Sequence, residues 1–370
     1  MSSEIRSVPS GRVLSIDALR GFDMFWITGG AFFFRTLLRF FNTPFFHSLS
    51  AQLRHSKWDG FTFYDLIFPL FLFIVGASMP FAISKRLQRG DNRKKLYIHI
   101  VKRSLTLLFL GFIFNGFLDL NFSNFRWAGV LQRISLCYFF SALIVMNTNI
   151  RNQAIIAGIM LLFYWAVMTL IPVPGFGAGI LTPEGNLSAY IDQHFLPGEF
   201  CCYKFGDNEG ILSTIPAIAS TLIGVLAGHW LRTSFTQEKK VLVLLAAGAV
   251  SLILGFIWDF IFPINKSIWT SSYVLFGAGW SLILLGLFYW VIDVRGYKKW
   301  SFPFVIIGLN PITIFVVQQI FDFGIIANIF VHGFIDIFGS FRPLFWAFCV
   351  LMVKWLFLYF LYKKKIFLKA

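Results

Sequence analysis

His55 is the residue whose type best suits proton or acyl transfer near neutral pH. Imidazole ordinarily titrates there, and its neutral form is both a base and a nucleophile. It lies in Arg54-His55-Ser56-Lys57-Trp58-Asp59-Gly60, just ahead of Thr62-Phe63-Tyr64-Asp65. Thr62 and Asp65 have the spacing of a helix-capping box, which predicts a helix start with its positive dipole end beside the loop. Arg54, Lys57 and that helix end all favour the neutral imidazole. Asp65 is expected either to cap the helix or to orient the ring. A second polar group, Asp207-Asn208-Glu209-Gly210, opens another apolar run. Asp207 or Asn208 is expected to cap it, while Glu209 suits the positive helix end or, like Asp65, the ring or a substrate. Trp58, Asp59 and Asn208 are the expected substrate contacts.

Other polar residues fall inside apolar runs, where an ionisable group needs a partner, a wet cavity or a function. Asp17, Arg20 and Asp23 repeat at three-residue steps, so that Arg20 can pair with either acid. They read as a local charge ladder or as an arginine facing an anionic ligand. Gln132 and Arg133 open another run; Arg133 stays charged, and either snorkels to the interface or holds an anion inside. His47, His99, His194, His229 and His332 show no paired metal-ligand spacing, and HExxH is absent, so no metal is expected. Cys137 and Cys349 lie within apolar runs. The adjacent Cys201 and Cys202 read as two small loop residues, with a vicinal disulfide in an oxidising compartment as the alternative.

What must position these side chains follows from composition. Of 370 residues 57% are hydrophobic, 13% are charged, and 48 are Phe, against about 25% charged in soluble domains. The mean hydropathy is +0.73. An all-α, polytopic membrane bundle forming one domain over residues 1–370 is expected, because a backbone in hydrocarbon must satisfy its own hydrogen bonds. Ten spans are expected near 14–34, 63–83, 99–117, 130–146, 154–171, 211–231, 241–262, 270–292, 302–321 and 343–362. A short re-entrant or interfacial helix is expected at 325–338. Gly224-x-x-x-Gly228 invites close helix contact, Pro216 is expected to kink the sixth span, and Asn310-Pro311 to break the ninth.

The formal charge of +15 does not indicate nucleic acid, since the cations sit in short loops rather than on one basic face. Clusters such as Arg93-Lys94-Lys95 and Lys363-Lys364-Lys365 share a side with both termini when ten spans are counted. The positive-inside bias therefore puts both termini in the cytoplasm and His55 outside. Residues 1–11 are polar and show no cleavable signal pattern.

Four segments together resemble the transmembrane acyltransferase family typified by heparan-alpha-glucosaminide N-acetyltransferase. They are Leu14-Ser-Ile-Asp-Ala-Leu-Arg-Gly21, His55-Ser-Lys-Trp-Asp-Gly-Phe-Thr-Phe-Tyr-Asp-Leu-Ile-Phe-Pro69, Gly129-Val-Leu-Gln-Arg-Ile134 and Asn208-Glu-Gly-Ile-Leu-Ser-Thr-Ile215. The resemblance implies acetyl transfer from cytoplasmic acetyl-CoA to an amino sugar or glycan across a lipid bilayer. It places the active histidine on His55, as nucleophile or general base. Arg20, Arg103, Gln132 and Arg133 are then the expected donor contacts. A compact prokaryotic relative is expected, in a bacterial inner membrane and without the family's luminal domain and extra leading span. The family asparagine that precedes the histidine finds Ile27-Thr28-Gly29-Gly30 instead. A homodimer is an open alternative, as are a solute transporter and an O-acetyltransferase of envelope polysaccharide.

Overall fold

The computed structural model describes residues 13–122 and 124–367; the polar stretch 1–11 lies outside them. It is an all-α bundle. The helices are α1 (Leu14–Phe25), α2 (Ala31–Leu38), α3 (Pro44–Gln52), α4 (Ile67–Gln88), α5 (Arg93–Phe114), α6 (Val130–Asn147), α7 (Ile150–Leu170), α8 (Leu187–Phe195), α9 (Thr214–Leu231), α10 (Gln237–Asp259), α11 (Ser271–Phe288), α12 (Phe302–Leu309), α13 (Pro311–Ile320), α14 (Phe323–Val331) and α15 (Arg342–Lys363). A short antiparallel pair, β1 (Cys202–Tyr203) and β2 (Gly206–Asp207), sits in the long loop before α9.

Among the described residues, eight helices are long and apolar enough to cross a membrane, or nine if a bent pair counts as one span. Ten were expected, and the difference has two causes. At 302–321 the chain bends by 72° between α12 and α13, where Asn310 leaves helical geometry and Pro311 starts a new helix. At 14–34 a π turn, Trp26–Gly30, separates α1 from α2, and Gly29 takes φ 138°. Three ionisable residues on α1 further reduce its apolar character. The segment expected to be re-entrant or interfacial is short here too, formed by α14 and the 3-10 turn Ile335–Phe341.

Glycines set the closest helix contacts. A Cβ on Gly76 of α4 would lie 1.9 Å from the Thr221 carbonyl oxygen, and one on Gly228 of α9 2.3 Å from that of Ala77. The Gly224-x-x-x-Gly228 face therefore lets α9 lie directly on α4. Pro216 does not kink α9. The helix starts at Thr214, so Pro216 occupies the first turn, where no intrahelical N–H bond is lost. Outward-facing Leu242 and Phe256 of α10, and Phe260 just after it, are exposed, as an apolar face toward lipid requires.

Candidate active site

The chain delivers His55 on a loop, and the loop is fixed on both sides of it. The Thr62 hydroxyl donates to the Arg54 carbonyl oxygen at 2.6 Å, and the Ser56 N–H donates to Asp65 Oδ2 at 3.0 Å. Asp65 is fully buried in the 3-10 turn Phe63–Leu66 that leads into α4, and the capping box with Thr62 is present. Its Oδ2 also accepts the Thr62 N–H at 3.2 Å, which leaves Oδ1 to meet His55 Nδ1 at 2.7 Å. One carboxylate thus caps the turn and holds the imidazole. Because an ionised carboxylate only accepts, the contact assigns the proton to Nδ1 and leaves the lone pair on Nε2. The ring is half exposed and tilts against Tyr64, with centroids 4.7 Å apart.

Lys266 completes this group, although nothing near His55 in the sequence announces it. Its Nζ lies 2.8 Å from His55 Nδ1, 3.4 Å from Nε2 and 3.5 Å from Asp65 Oδ1. Asp59 helps to position it. Asp59 Oδ1 accepts from Asn265 Nδ2 at 3.0 Å, and the Gly60 N–H donates to the Ile264 carbonyl at 2.8 Å. The segment after His55 is thereby clamped to the loop joining α10 and α11. Trp269 of that loop adopts φ 52°, a conformation bulky residues rarely take. Burial pushes the Lys266 ammonium below the ordinary lysine range, against the upward pull of Asp65 and Glu209. The signal that existed in the sequence was a cation between two apolar runs on the same side as His55.

Glu209 does not touch the imidazole. It pairs with Arg126, whose guanidinium also makes two 2.7 Å bonds to the buried Asp207. Nor does Asp207 or Asn208 cap α9. Asp207 accepts from the backbone of Cys201 and Glu209 instead, and Asp192 of α8 receives the Ile211 N–H at 2.9 Å. Burial pushes the Asp207 carboxyl up, but Arg126 together with the Cys201 and Glu209 N–H groups holds it below the usual carboxylate range, whereas burial raises the pKa of Asp192 to about 6. Asn208 Oδ1 is buried without a hydrogen-bond partner among the described residues. Trp58 donates to the Leu181 carbonyl at 3.0 Å and packs edge-on against Tyr203. Cys201 and Cys202, beside this cluster, form a vicinal disulfide.

Arg20 and Arg103 belong to the other end of the bundle. Both line a cavity of about 850 Å³ that follows α4 from Phe71 to Arg89. Lys85, Arg86, Lys298 and Lys365 also face it, and Asp17 is the acidic residue in its lining. Arg20 bonds Asp17 at 3.3 Å and reaches Ser78. Asp23, one turn deeper, is buried with neither oxygen hydrogen-bonded among the described residues. Arg103 lies over Tyr138 at 4.3 Å. At about 1.5 Å per residue the lining covers about 27 Å of α4, stopping about 10 Å short of Asp65.

Arg133 occupies this gap, while the Gln132 side chain lies against Gly111 of α5. Arg133 is fully buried, lies 4.9 Å over Trp269, and bonds Ser213 and the Gly210 carbonyl. It neither snorkels to the interface nor lines the basic cavity; Ile134, the next residue, does line it. Phe68 packs on Trp269 from α4. Arg133 Nε and Nη1 and both side-chain polar atoms of Gln132 are buried and unbonded among the described residues. Buried polar groups left so are costly. No cluster of three or more His, Cys, Asp or Glu suited to a metal occurs among the described residues.

Comparison with known proteins agrees with the family resemblance read from the four segments. The chain is 30% identical over 329 residues to the heparan-alpha-glucosaminide N-acetyltransferase of Mus musculus and 29% identical over 329 residues to that of Homo sapiens. Each alignment covers 73% of this chain and 49% of the relative, so the chain spans about half the length of the curated relatives it matches. Residues 12–118, which include Arg20, His55, Asp65 and Arg103, match a family described as a domain of unknown function, DUF5009.

Proposed function

We propose that this relative of the heparan-alpha-glucosaminide N-acetyltransferases is a membrane acetyltransferase that uses acetyl-CoA as donor. The reading is carried by one juxtaposition: a cation-lined cavity at one end of α4 and the Asp65–His55 pair at the other. A CoA ester needs both, cations for its phosphates and a base or nucleophile for its thioester. The nucleotide end binds at Arg20 and Arg103, and the pantetheine arm enters the layer between cavity and dyad. Arg133 there and Gln132 beside α5 offer unmet hydrogen-bonding groups to its amides. The apolar wall of Phe68 and Trp269 excludes water and so protects the thioester.

His55 Nε2 then attacks the acetyl carbon or takes the proton of the attacking acceptor. Asp65 holds the tautomer and stabilises the imidazolium that forms in either route. The acceptor is an amino sugar or glycan that approaches the half-exposed face of His55, near Trp58 and Asn208. The basic cavity faces the cytoplasm by the positive-inside bias, and the vicinal disulfide at the opposite end suits an oxidising compartment. Both termini are then cytoplasmic, as in a bacterial inner membrane. Purified protein incubated with labelled acetyl-CoA and a panel of amino sugars is the direct assay. Label on a sugar is the expected result; CoA-independent solute uptake into liposomes, with no transfer, would support a transporter instead.

A further inference from the structure

We propose that Lys266 is a catalytic residue whose ammonium donates a hydrogen bond to the acetyl carbonyl oxygen as that oxygen gains negative charge beside His55 Nε2. The inference rests on the acetyl-transfer reading of the His55 site and adds to it the group that receives the developing charge.

The geometry follows from the proton count. His55 Nδ1–H donates a hydrogen bond to Asp65 Oδ1 at 2.7 Å and keeps its proton. A protonated nitrogen has no lone pair to accept with, so the 2.8 Å approach of Lys266 Nζ to the same atom is contact rather than a hydrogen bond in this state. The ammonium forms an ion pair with Asp65 Oδ1 at 3.5 Å, which engages at most one of its N–H groups. The others remain, and Nζ stands 3.4 Å from Nε2, where the acetyl carbon must arrive. The carbonyl oxygen extends about 1.2 Å from that carbon, within reach of Nζ. The ammonium is nearest Nδ1, at 2.8 Å, yet it is as close to Nε2 at 3.4 Å as to Asp65 Oδ1 at 3.5 Å, so it serves both the carboxylate and the reacting nitrogen.

The lysine is also held before the substrate arrives, which is what makes such a donor effective. Its side chain is 13% exposed. The preceding residue, Asn265, is bonded to Asp59 and to the Ile268 N–H at 3.2 Å. The electron balance is the same whichever nitrogen attacks. A C–N bond forms and the carbonyl π pair moves onto oxygen, facing Lys266. That pair then re-forms the carbonyl as the C–S bond breaks, and CoA leaves as thiolate with the bonding electrons. When Nε2 acts as base, it passes the acceptor's proton to the thiolate. When Nε2 is the nucleophile, the thiolate takes a proton from water and leaves hydroxide; the acceptor then attacks the acetyl-imidazolium, the C–Nε2 bond breaks with its pair returning to Nε2, and the acceptor's proton passes to that hydroxide.

Lys266→Met should lower kcat by roughly 10²–10³-fold, the usual loss for one oxyanion donor, with CoA binding measured by calorimetry unchanged. Lys266→Arg should recover part of the rate and move the alkaline fall of kcat to higher pH, because guanidinium keeps its proton. A Met variant within about threefold of wild-type kcat, or an Arg variant whose alkaline limb stays in place, overturns the proposal. With His55→Ala inactive, such a result removes only the lysine's role; full turnover by His55→Ala removes the underlying reading. If the Met variant fails to fold, the Arg variant's pH profile decides alone.

Discussion

The two ends of α4 handle charge in opposite ways. At the Asp65 end the acidic groups are buried and bonded to named partners: Asp65 to His55, Ser56 and Thr62, and Asp207 and Glu209 to Arg126. At the Arg89 end many cations line an open cavity with Asp17 as the acidic residue in its lining. A site that performs chemistry must be organised before substrate arrives, whereas a site that captures a polyanion needs mainly an excess of positive charge. The first should therefore control kcat, and the second donor affinity.

The largest expected effect breaks the organised end. Asp65→Ala should reduce kcat by roughly 10²–10⁴-fold, the contribution of a working general base, with little change in the KM for acetyl-CoA. Steady-state kinetics of the purified variant provides the check. Arg103→Ala should do the reverse. Removing one charge-assisted phosphate contact of about 1.5–3 kcal/mol should raise donor KM roughly 10- to 100-fold at unchanged kcat, with a weaker salt dependence. Equal effects of both substitutions on kcat would erase the distinction between the two ends.

Much of the organised end was legible because its parts are close in sequence. His55 and Asp65 are ten positions apart, and the capping box limits what Asp65 can do. Lys266 and Arg126 were not legible as partners, because only the packing of distant loops brings them to Asp65 and Glu209. Asp207 and Asn208 misled for a related reason: they stand where a cap belongs, yet Arg126 takes the Asp207 carboxylate and α9 begins only at Thr214. The spans were readable from composition, except where Gly29 and Asn310-Pro311 interrupt helical geometry inside apolar runs. The cations of the cavity were visible singly, but their convergence depends on α4, α5 and the chain after α15 meeting.

A moderate effect tests the element linking the two ends. Gly76→Ala would drive a Cβ to 1.9 Å from the Thr221 carbonyl oxygen, and should cost about 1–3 kcal/mol as overpacking. Thermal unfolding in detergent would show it as a lower midpoint. The smallest effect concerns Asp192, whose pKa burial raises from 3.8 to about 6. A carboxyl with a raised folded-state pKa contributes its stability below the unfolded value and loses it as pH climbs through the folded one. Stability should therefore contain a component that declines between about pH 4 and pH 6. Asp192→Asn should remove that component, as a pH series of unfolding midpoints would reveal.

The central claim is that His55 transfers an acetyl group that arrives from the far end of α4. Its most direct test is His55→Ala, assayed for label transfer from acetyl-CoA and, on the same sample, for CoA binding. The account predicts binding at wild-type affinity with no transfer; transfer at the wild-type rate would contradict it.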